Sequence, residues 1–257
     1  MSRTAALVLA SVVLVPASAG AGTTRPALGL TATPARVALA GSSQTTVRVT
    51  NAGSRQVVVD VGRAGFALDL RGRPRVVAKA GKRGAAPWLT ARPRRFELRP
   101  GASRALTISA RLPHAVEPGD HDALVLLTTR PRRGGAVGVR MRIGLVVVVR
   151  APGRVVRRLE VRGLRVRRLR RGRMLEILVA NRGNVTERLG RSQVRLVLRR
   201  GTAAARLRAV GRELRPQTRG IVQVPYRGPL RGWVGARAEI VSQPGRRAVG
   251  RTFRVKV

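Results

Sequence analysis

Apolar side chains recur at every second residue in short segments along this chain, and that spacing restricts the fold more than any other feature. Val47-x-Val49, Val57-x-Val59-x-Val61, Phe66-x-Leu68-x-Leu70, Leu106-x-Ile108-x-Ala110-x-Leu112 and Val194-x-Leu196-x-Leu198 each line one face of a strand, with polar or arginine residues on the other. The one stretch that admits a helix, Arg162 to Arg173, is interrupted by Gly163 and Gly172. Gly, Pro, Asn and Asp punctuate the alternating segments at intervals of about ten residues, the pattern of antiparallel sandwiches. The expected fold class is all-β: two tandem immunoglobulin-like antiparallel β-sandwiches after an N-terminal signal peptide.

An internal repeat supports the pairing of two units. Val47-x-Val49-x-Asn51-x-Gly53 matches Ile177-x-Val179-x-Asn181-x-Gly183, and later in each half Leu98-x-Pro100 matches Leu214-x-Pro216. Asn and Gly suit a turn because both tolerate positive φ, and Val57 or Val185 then restarts a strand. With 257 residues there is room for two sandwiches. They are expected over residues 26–151 and 152–257, divided at Ala151-Pro152-Gly153 after a closing strand from Val137 to Arg150.

The leader is expected over residues 1–19. Arg3 precedes an apolar run from Ala5 to Val15, then Pro16 and the small residues Ala17-Ser18-Ala19. That is the charged, apolar and small-residue order of a secretory signal peptide, and the run is shorter than the ~20 residues that span a bilayer. Leu145 to Val149 is only strand-length, and Phe253 to Val257 offers no anchor, so no membrane span is expected once the leader is removed. The expected location is extracytoplasmic, secreted or in the cell envelope.

Charge is lopsided: 53 basic against 11 acidic side chains give a net +42, and only Lys79, Lys82 and Lys256 among the basic ones are lysine. Residues 26–151 carry a net +16 and residues 152–257 a net +24, so no single tail accounts for it. Such an arginine excess has two readings, the coding composition of a GC-rich genome or selection for an anionic partner such as a cell-wall polymer. In the second reading the arginines cluster, with Arg165, Arg167 and Arg195 on the outward sides of strands in the second sandwich. Physiological nucleic-acid binding is not expected, since single-strand binders need stacking platforms and aromatics make up 2% of the chain. Trp88, Phe96, Tyr226 and Trp233 read as core or strand-edge residues.

Chemistry-bearing motifs are scarce. Cysteine is absent and histidine occurs twice, which removes thiolate nucleophiles, disulfides and thiolate metal sites. Pro118-Gly119-Asp120-His121-Asp122 is the densest cluster of unusual residues. In an extended strand its carboxylates point away from the imidazole, so it reads as a turn leading into the strand Ala123 to Leu127. There is no nucleophile elbow, phosphate-cradling glycine loop or carboxylate pair. No catalytic, cofactor-binding or metal-binding residue is nominated, no cofactor is expected, and the chain is not expected to be an enzyme.

Trp88-Leu89, Pro93, Phe96-x-Leu98-x-Pro100-Gly101, a strand ending at Leu112-Pro113, and Pro118-Gly119 before an apolar strand together resemble the WxL-interacting protein family. The segment Val137 to Leu145 is similar to the final strand of that family's peptidoglycan-binding domain. The resemblance covers residues 28 to 150 or so and implies an immunoglobulin-like fold that binds peptidoglycan. Similar patterns occur in pilus-chaperone-like and other bacterial immunoglobulin-like modules. The expected function is therefore that of an exported, non-enzymatic bacterial envelope protein binding or scaffolding at the cell wall. The alternative is a chaperone-like or adhesin-assembly partner of a surface protein, acting by β-augmentation. Trp88 and Phe96 are expected to fill the core and Pro100-Gly101 to make a tight turn.

Export should remove the leader near Ala19, where Ala17 and Ala19 supply the small side chains that a signal peptidase accepts. N-terminal sequencing of the secreted protein checks this; a mature chain that still begins at Met1 contradicts it.

Overall fold

The computed structural model describes residues 26–77, 83–130, 139–242 and 247–257, so the leader lies outside the described residues. The first half contains β1 (Leu30–Thr33), β2 (Arg36–Ala40), β3 (Gln44–Asn51), β4 (Val57–Leu68), β5 (Pro74–Val77), β6 (Leu89–Arg92), β7 (Arg95–Leu98), β8 (Ser103–Ala110), β9 (Gly119–Thr129) and β10 (Arg142–Ala151). One sheet has the order β1-β3-β8-β6; the other runs β2-β10-β9-β4-β5, with β7 also paired to β4. The second half contains β11 (Leu159–Arg168), β12 (Arg173–Asn181), β13 (Glu187–Leu189), β14 (Val194–Arg200), β15 (Ala203–Arg208), β16 (Arg212–Leu214), β17 (Arg219–Tyr226), β18 (Trp233–Ile240) and β19 (Val249–Lys256). Its sheets are β11-β12-β17 and β15-β14-β18-β19, with a short β13-β16 ladder beside them.

Each half encloses its own apolar core. Val47, Val49, Leu106 and Ile108 from one sheet meet Val59, Val125, Leu127, Val147 and Val149 from the other, all fully buried. In the second half Leu175, Ile177 and Val179 face Leu196, Leu198, Ala236 and Ala238. These are the alternating positions of the sequence, each buried large side chain contributing ~1.5–3 kcal/mol of hydrophobic stabilisation. Phe96 is buried in the first core, whereas Trp88 is half-buried at its margin. The segment with the two interrupting glycines is no helix: Gly163 lies in β11 at an irregularity of its ladder with β12, and Gly172 (φ +95°) lies in the turn between β11 and β12. We propose residues 26–151 and 152–257 as the two folding units.

Three sequence expectations need correction. The first sandwich is not wholly antiparallel: the chain leaves β1, which pairs with β3, and crosses at Thr33-Pro34-Ala35 to the other sheet, where β2 runs parallel to β10 with Val37 opposite Val147. Proline removes a donor where the ladder changes sheets. The closing strand begins at Arg142 and not at Val137, and Val137 and Gly138 lie outside the described residues. The cluster at Asp120 is not a turn, because β9 already begins at Gly119.

The internal repeat is a structural one. The Asn51 amide donates to the Arg55 carbonyl at 2.7 Å and the Leu98 carbonyl at 3.1 Å, while its oxygen accepts from the Gly53 N–H at 3.0 Å. Asn181 repeats the set, donating to Val185 at 2.8 Å and Leu214 at 3.0 Å and accepting from Gly183 at 2.9 Å. Both side chains are fully buried. The pairing partners also correspond, Val57 with Leu98 and Glu187 with Leu214, so the second strand restarts at Glu187 and not at Val185. Gly53 and Gly183 are not among the residues with positive φ. Glycine is needed there for close approach: a Cβ would stand 2.6 Å from the Gly29 nitrogen in one case and 2.3 Å from the Val156 oxygen in the other. Positive φ falls at Gly101 (+74°), as the tight turn requires, and at Gln217 (+54°), each directly after its proline.

Asn181→Ala orphans two buried carbonyls and an N–H, and Asn51→Ala removes the donor from the buried Leu98 carbonyl and from the part-buried Arg55 carbonyl while the Gly53 N–H keeps the Gly29 carbonyl at 3.2 Å, at ~1–3 kcal/mol for an unsatisfied buried group. Each substitution should lower stability by about 2–4 kcal/mol in denaturant unfolding, and a loss below 1 kcal/mol would contradict the clamp role.

Candidate binding cleft

The first four residues of β9 connect the two halves. Alternation sends His121 inward, where its ring lies 4.6 Å from that of Trp88 and Nε2 meets the Glu117 carbonyl at 2.8 Å. Asp120 and Asp122 point the other way, towards the second sandwich, yet both are buried. Asp120 accepts two bonds from Arg150, at 2.7 and 3.1 Å, and one from the Thr186 N–H at 2.7 Å. Asp122 pairs with Arg215, whose guanidinium also donates to the Phe66 carbonyl at 2.9 Å and lies 4.4 Å from the centre of the Phe66 ring. The alternation argued from sequence therefore holds, with carboxylates and imidazole on opposite faces.

Further contacts cross the junction. The Ile221 N–H donates to the Leu70 carbonyl at 2.7 Å, and Arg212 donates to the Leu70 and Asp69 carbonyls at 2.6 and 3.2 Å. Arg36 of β2 pairs with Glu213, and Arg71 reaches Glu176 at 3.4 Å. The Asn184-Val185-Thr186 segment is part of the connection: the Asn184 side chain donates to the Pro118 and Arg154 carbonyls at 3.1 and 2.8 Å. Gly119 (φ +109°) packs so closely here that a Cβ would lie 2.1 Å from the Asn184 oxygen.

Two openings of about 690 and 580 Å³ flank the Asp122–Arg215 pair. The second has an apolar floor of Leu124, Leu126, Val146, Phe66 and Leu68 under a rim that includes Arg36, Arg142 and Arg212. Beside it lies an incomplete sheet edge. β2 covers β10 only over Val146–Arg150, whereas β9 pairs with all of Arg142–Ala151. The Val146 N–H points to the β2 side, at the Ala35 carbonyl. By the two-residue repeat, Arg142 and Gly144 present their N–H and C=O groups to the same side, with no strand opposite among the described residues. Ile143 faces the core margin, and Val139 is exposed. The arrangement offers a strand-pairing edge, an apolar floor and guanidinium groups for an acidic or terminal carboxylate group.

Sequence reasoning nominated none of these residues. Arg36, Arg212 and Arg215 are three among 50 arginines and gain meaning only from position; the one available signal was the Leu214-x-Pro216 repeat beside two of them. Of the arginines expected to form an outward cluster, Arg165 and Arg167 converge on Glu176 at 2.6 and 3.3 Å, while Arg195 lies on a different sheet.

No protein-family model matches the chain, and no curated protein matches it in sequence. Solved structures do share its fold. A chain of the chaperone–tip adhesin complex of CFA/I fimbriae superposes with a TM-score of 0.50 at 10% identity, over 87% of this chain and 98% of that one. The class 5 fimbriae chaperone CfaA gives 0.49 at 11% identity, covering 89% and 99%. The E. coli chaperone DraB gives 0.46 at 14% identity, covering 90% and 97%. The chain is an all-β protein of immunoglobulin-like sandwiches, and the likeness does not single out the WxL-interacting family. No helix among the described residues is long and apolar enough to cross a membrane.

Burial opposes ionisation of Asp120, but Arg150 and the Thr186 N–H outweigh it and hold the carboxyl below the usual aspartate range. At Asp122 burial prevails over Arg215 and pushes the carboxyl up. Carboxyl-carbon NMR should therefore find the two titrating on opposite sides of an ordinary aspartate. The stability that ionised Asp120 contributes is lost as pH falls through its depressed value. Protonation of Asp122, as pH falls through its raised value, favours the fold. Asp122→Asn should remove that compensation and steepen the loss of stability on acidification; an unchanged acid limb would contradict the assignment.

Proposed function

We propose that the protein is an extracytoplasmic, non-enzymatic chaperone-like or assembly partner that receives a strand of a surface protein along β10. The observation that carries this reading is the open edge at Arg142 and Gly144 beside an apolar, arginine-rimmed cleft. An incoming segment gains main-chain hydrogen bonds from the edge, side-chain pockets from the floor, and an ion pair from Arg142, which is exposed and engages no carboxylate among the described residues. Support in kind comes from the shared fold of a chain in the chaperone–tip adhesin complex of CFA/I fimbriae. The sequence pattern of an export leader agrees with a partner in the envelope.

The second reading is the WxL-interacting-like one, a module binding peptidoglycan or anionic polymer and scaffolding at the cell wall. It draws on the net +42 and not on the cleft. Retention of the mature protein on purified peptidoglycan, unaffected by changes in β10, would favour it.

Gly144→Pro separates the two. Proline deletes the open-side N–H, while Ile143 and Leu145, on either side, keep their N–H groups for the ladder to β9. The variant should retain its unfolding transition but lose at least tenfold in capture of exported surface subunits co-expressed with it, and the Arg142 and Gly144 amides of the wild type should gain exchange protection on capture. Capture by the variant equal to that of the wild type would sink the β-augmentation reading.

A further inference from the structure

The second sandwich carries a basic surface that the cleft does not use. On the outward face of β15-β14-β18-β19, Val197 lies opposite Arg206 on one side and Arg237 on the other, with Arg195 and Arg199 two residues away along its own strand. One diagonal step away, Gly235 lies opposite Arg199 and Arg254, with Trp233 and Arg237 two residues away along β18. Both are small residues ringed by longer ones, so each is the floor of a shallow basin. The two depressions measure about 530 and 450 Å³ and share Val197 and Glu239. A Cβ placed on Gly235 would meet nothing closer than the Arg199 carbonyl oxygen at 3.8 Å.

This face differs from the rest of the half in how its charge is balanced. Glu160, Glu176, Glu187 and Glu213 are all engaged by arginines elsewhere. Glu239 alone lies here, held by Arg237 at 2.7 Å. Among the described residues, Arg195, Arg199, Arg206, Arg208, Arg254 and Lys256 make no ion pair, and all are exposed. Arg195 stands directly opposite Arg208 across the ladder, a like-charge pairing that costs stability. Trp233 is 56% exposed at the end of the band with the Arg254 guanidinium 5.4 Å from its ring centre.

We propose that these two basins bind successive phosphates of a single polyol-phosphate chain, a linear phosphodiester polymer of the kind built from glycerol phosphate. Diagonal neighbours on paired strands are ~7–8 Å apart, a span that the six single bonds from phosphorus to phosphorus through a three-carbon polyol cover when extended. Each basin offers several guanidinium forks, which bind phosphate bidentately. The basins are concave, floored by Gly235 and Val197 between longer side chains, which suits a thin acyclic polymer and not a planar bilayer. A nucleic-acid strand has the same backbone path, but its bases need successive aromatic platforms, and this face presents only Trp233. The surface lies apart from the β10 edge and stands independently of the assembly reading.

The test titrates the mature protein with purified polyglycerol phosphate, read by Trp233 fluorescence with Trp233→Phe as the silent control. Affinity should fall roughly sevenfold between 50 and 200 mM salt, as expected for two phosphate contacts on a single chain. Arg199→Gln/Arg237→Gln/Arg254→Gln should weaken binding at least tenfold, while Arg48→Gln/Arg55→Gln/Arg99→Gln, which removes the same charge from the first sandwich, should change it less than twofold. Polymer should also raise the unfolding temperature of the wild type, by relieving the Arg195–Arg208 repulsion, and more than that of the first triple variant; this holds even if the variant is less stable. Equal losses in the two triple variants, or binding of heparin, oligo-dT or phosphatidylglycerol vesicles as tight as that of polyglycerol phosphate, would overturn the proposal.

Discussion

Two buried aspartates set how the halves of this molecule meet. Strand alternation fixes Asp120 and Asp122 on the face of β9 that turns from the first core towards the second sandwich, and a carboxylate buried there requires guanidinium or N–H partners. Arg150, Arg215 and the Thr186 N–H meet that requirement. The choice of partners carries the junction with it: Arg215 brings the turn after β16 onto Phe66, and Thr186 brings the Asn184 segment against Pro118 and Gly119. The cleft is what remains between these attachments, so its arginine rim and apolar floor follow from the same contacts.

Scarcity of acid gives the charge distribution its pattern. With 11 carboxylates against 53 basic side chains, most arginines have no counterion within the chain. All the acids of the second half but Glu239 gather at the junction and on the β11-β12 side, where Glu176 alone takes Arg71, Arg165 and Arg167. That leaves the opposite sheet face basic by default. Net charge is thus a poor guide to where an anion would bind, because pairing and not abundance decides which guanidinium groups are available.

The fold was legible because period-two alternation has a direct physical reading, and the repeat around Asn51 and Asn181 was legible because the same hydrogen bonds recur with the same residues. Its cause was only half legible. Asn-x-Gly suggested positive φ, whereas the glycines serve close approach to Gly29 and Val156, segments far enough along the chain that spacing does not show the contact. The parallel β2–β10 pair was hidden for a related reason, since a strand that changes sheets at a proline keeps the same alternating pattern. The family resemblance to WxL-interacting proteins rested on turn and core residues such as Trp88, Phe96 and Pro100-Gly101, which any sandwich of this kind needs.

By itself the sequence determined the all-β class, the alternating segments of the two cores, the Asn-x-Gly repeat and the placement of Asp120 and Asp122 on the face opposite His121, because each follows from local geometry along one strand. Only the tertiary structure decided which arginines matter. Arg36, Arg212 and Arg215 line a cleft, Arg165 and Arg167 are neutralised on Glu176, and Arg199, Arg237 and Arg254 surround an open glycine. The physical reason is that a guanidinium's role depends on the carboxylate, carbonyl or empty space within a few ångströms of it, and those neighbours come from strands that are distant along the chain.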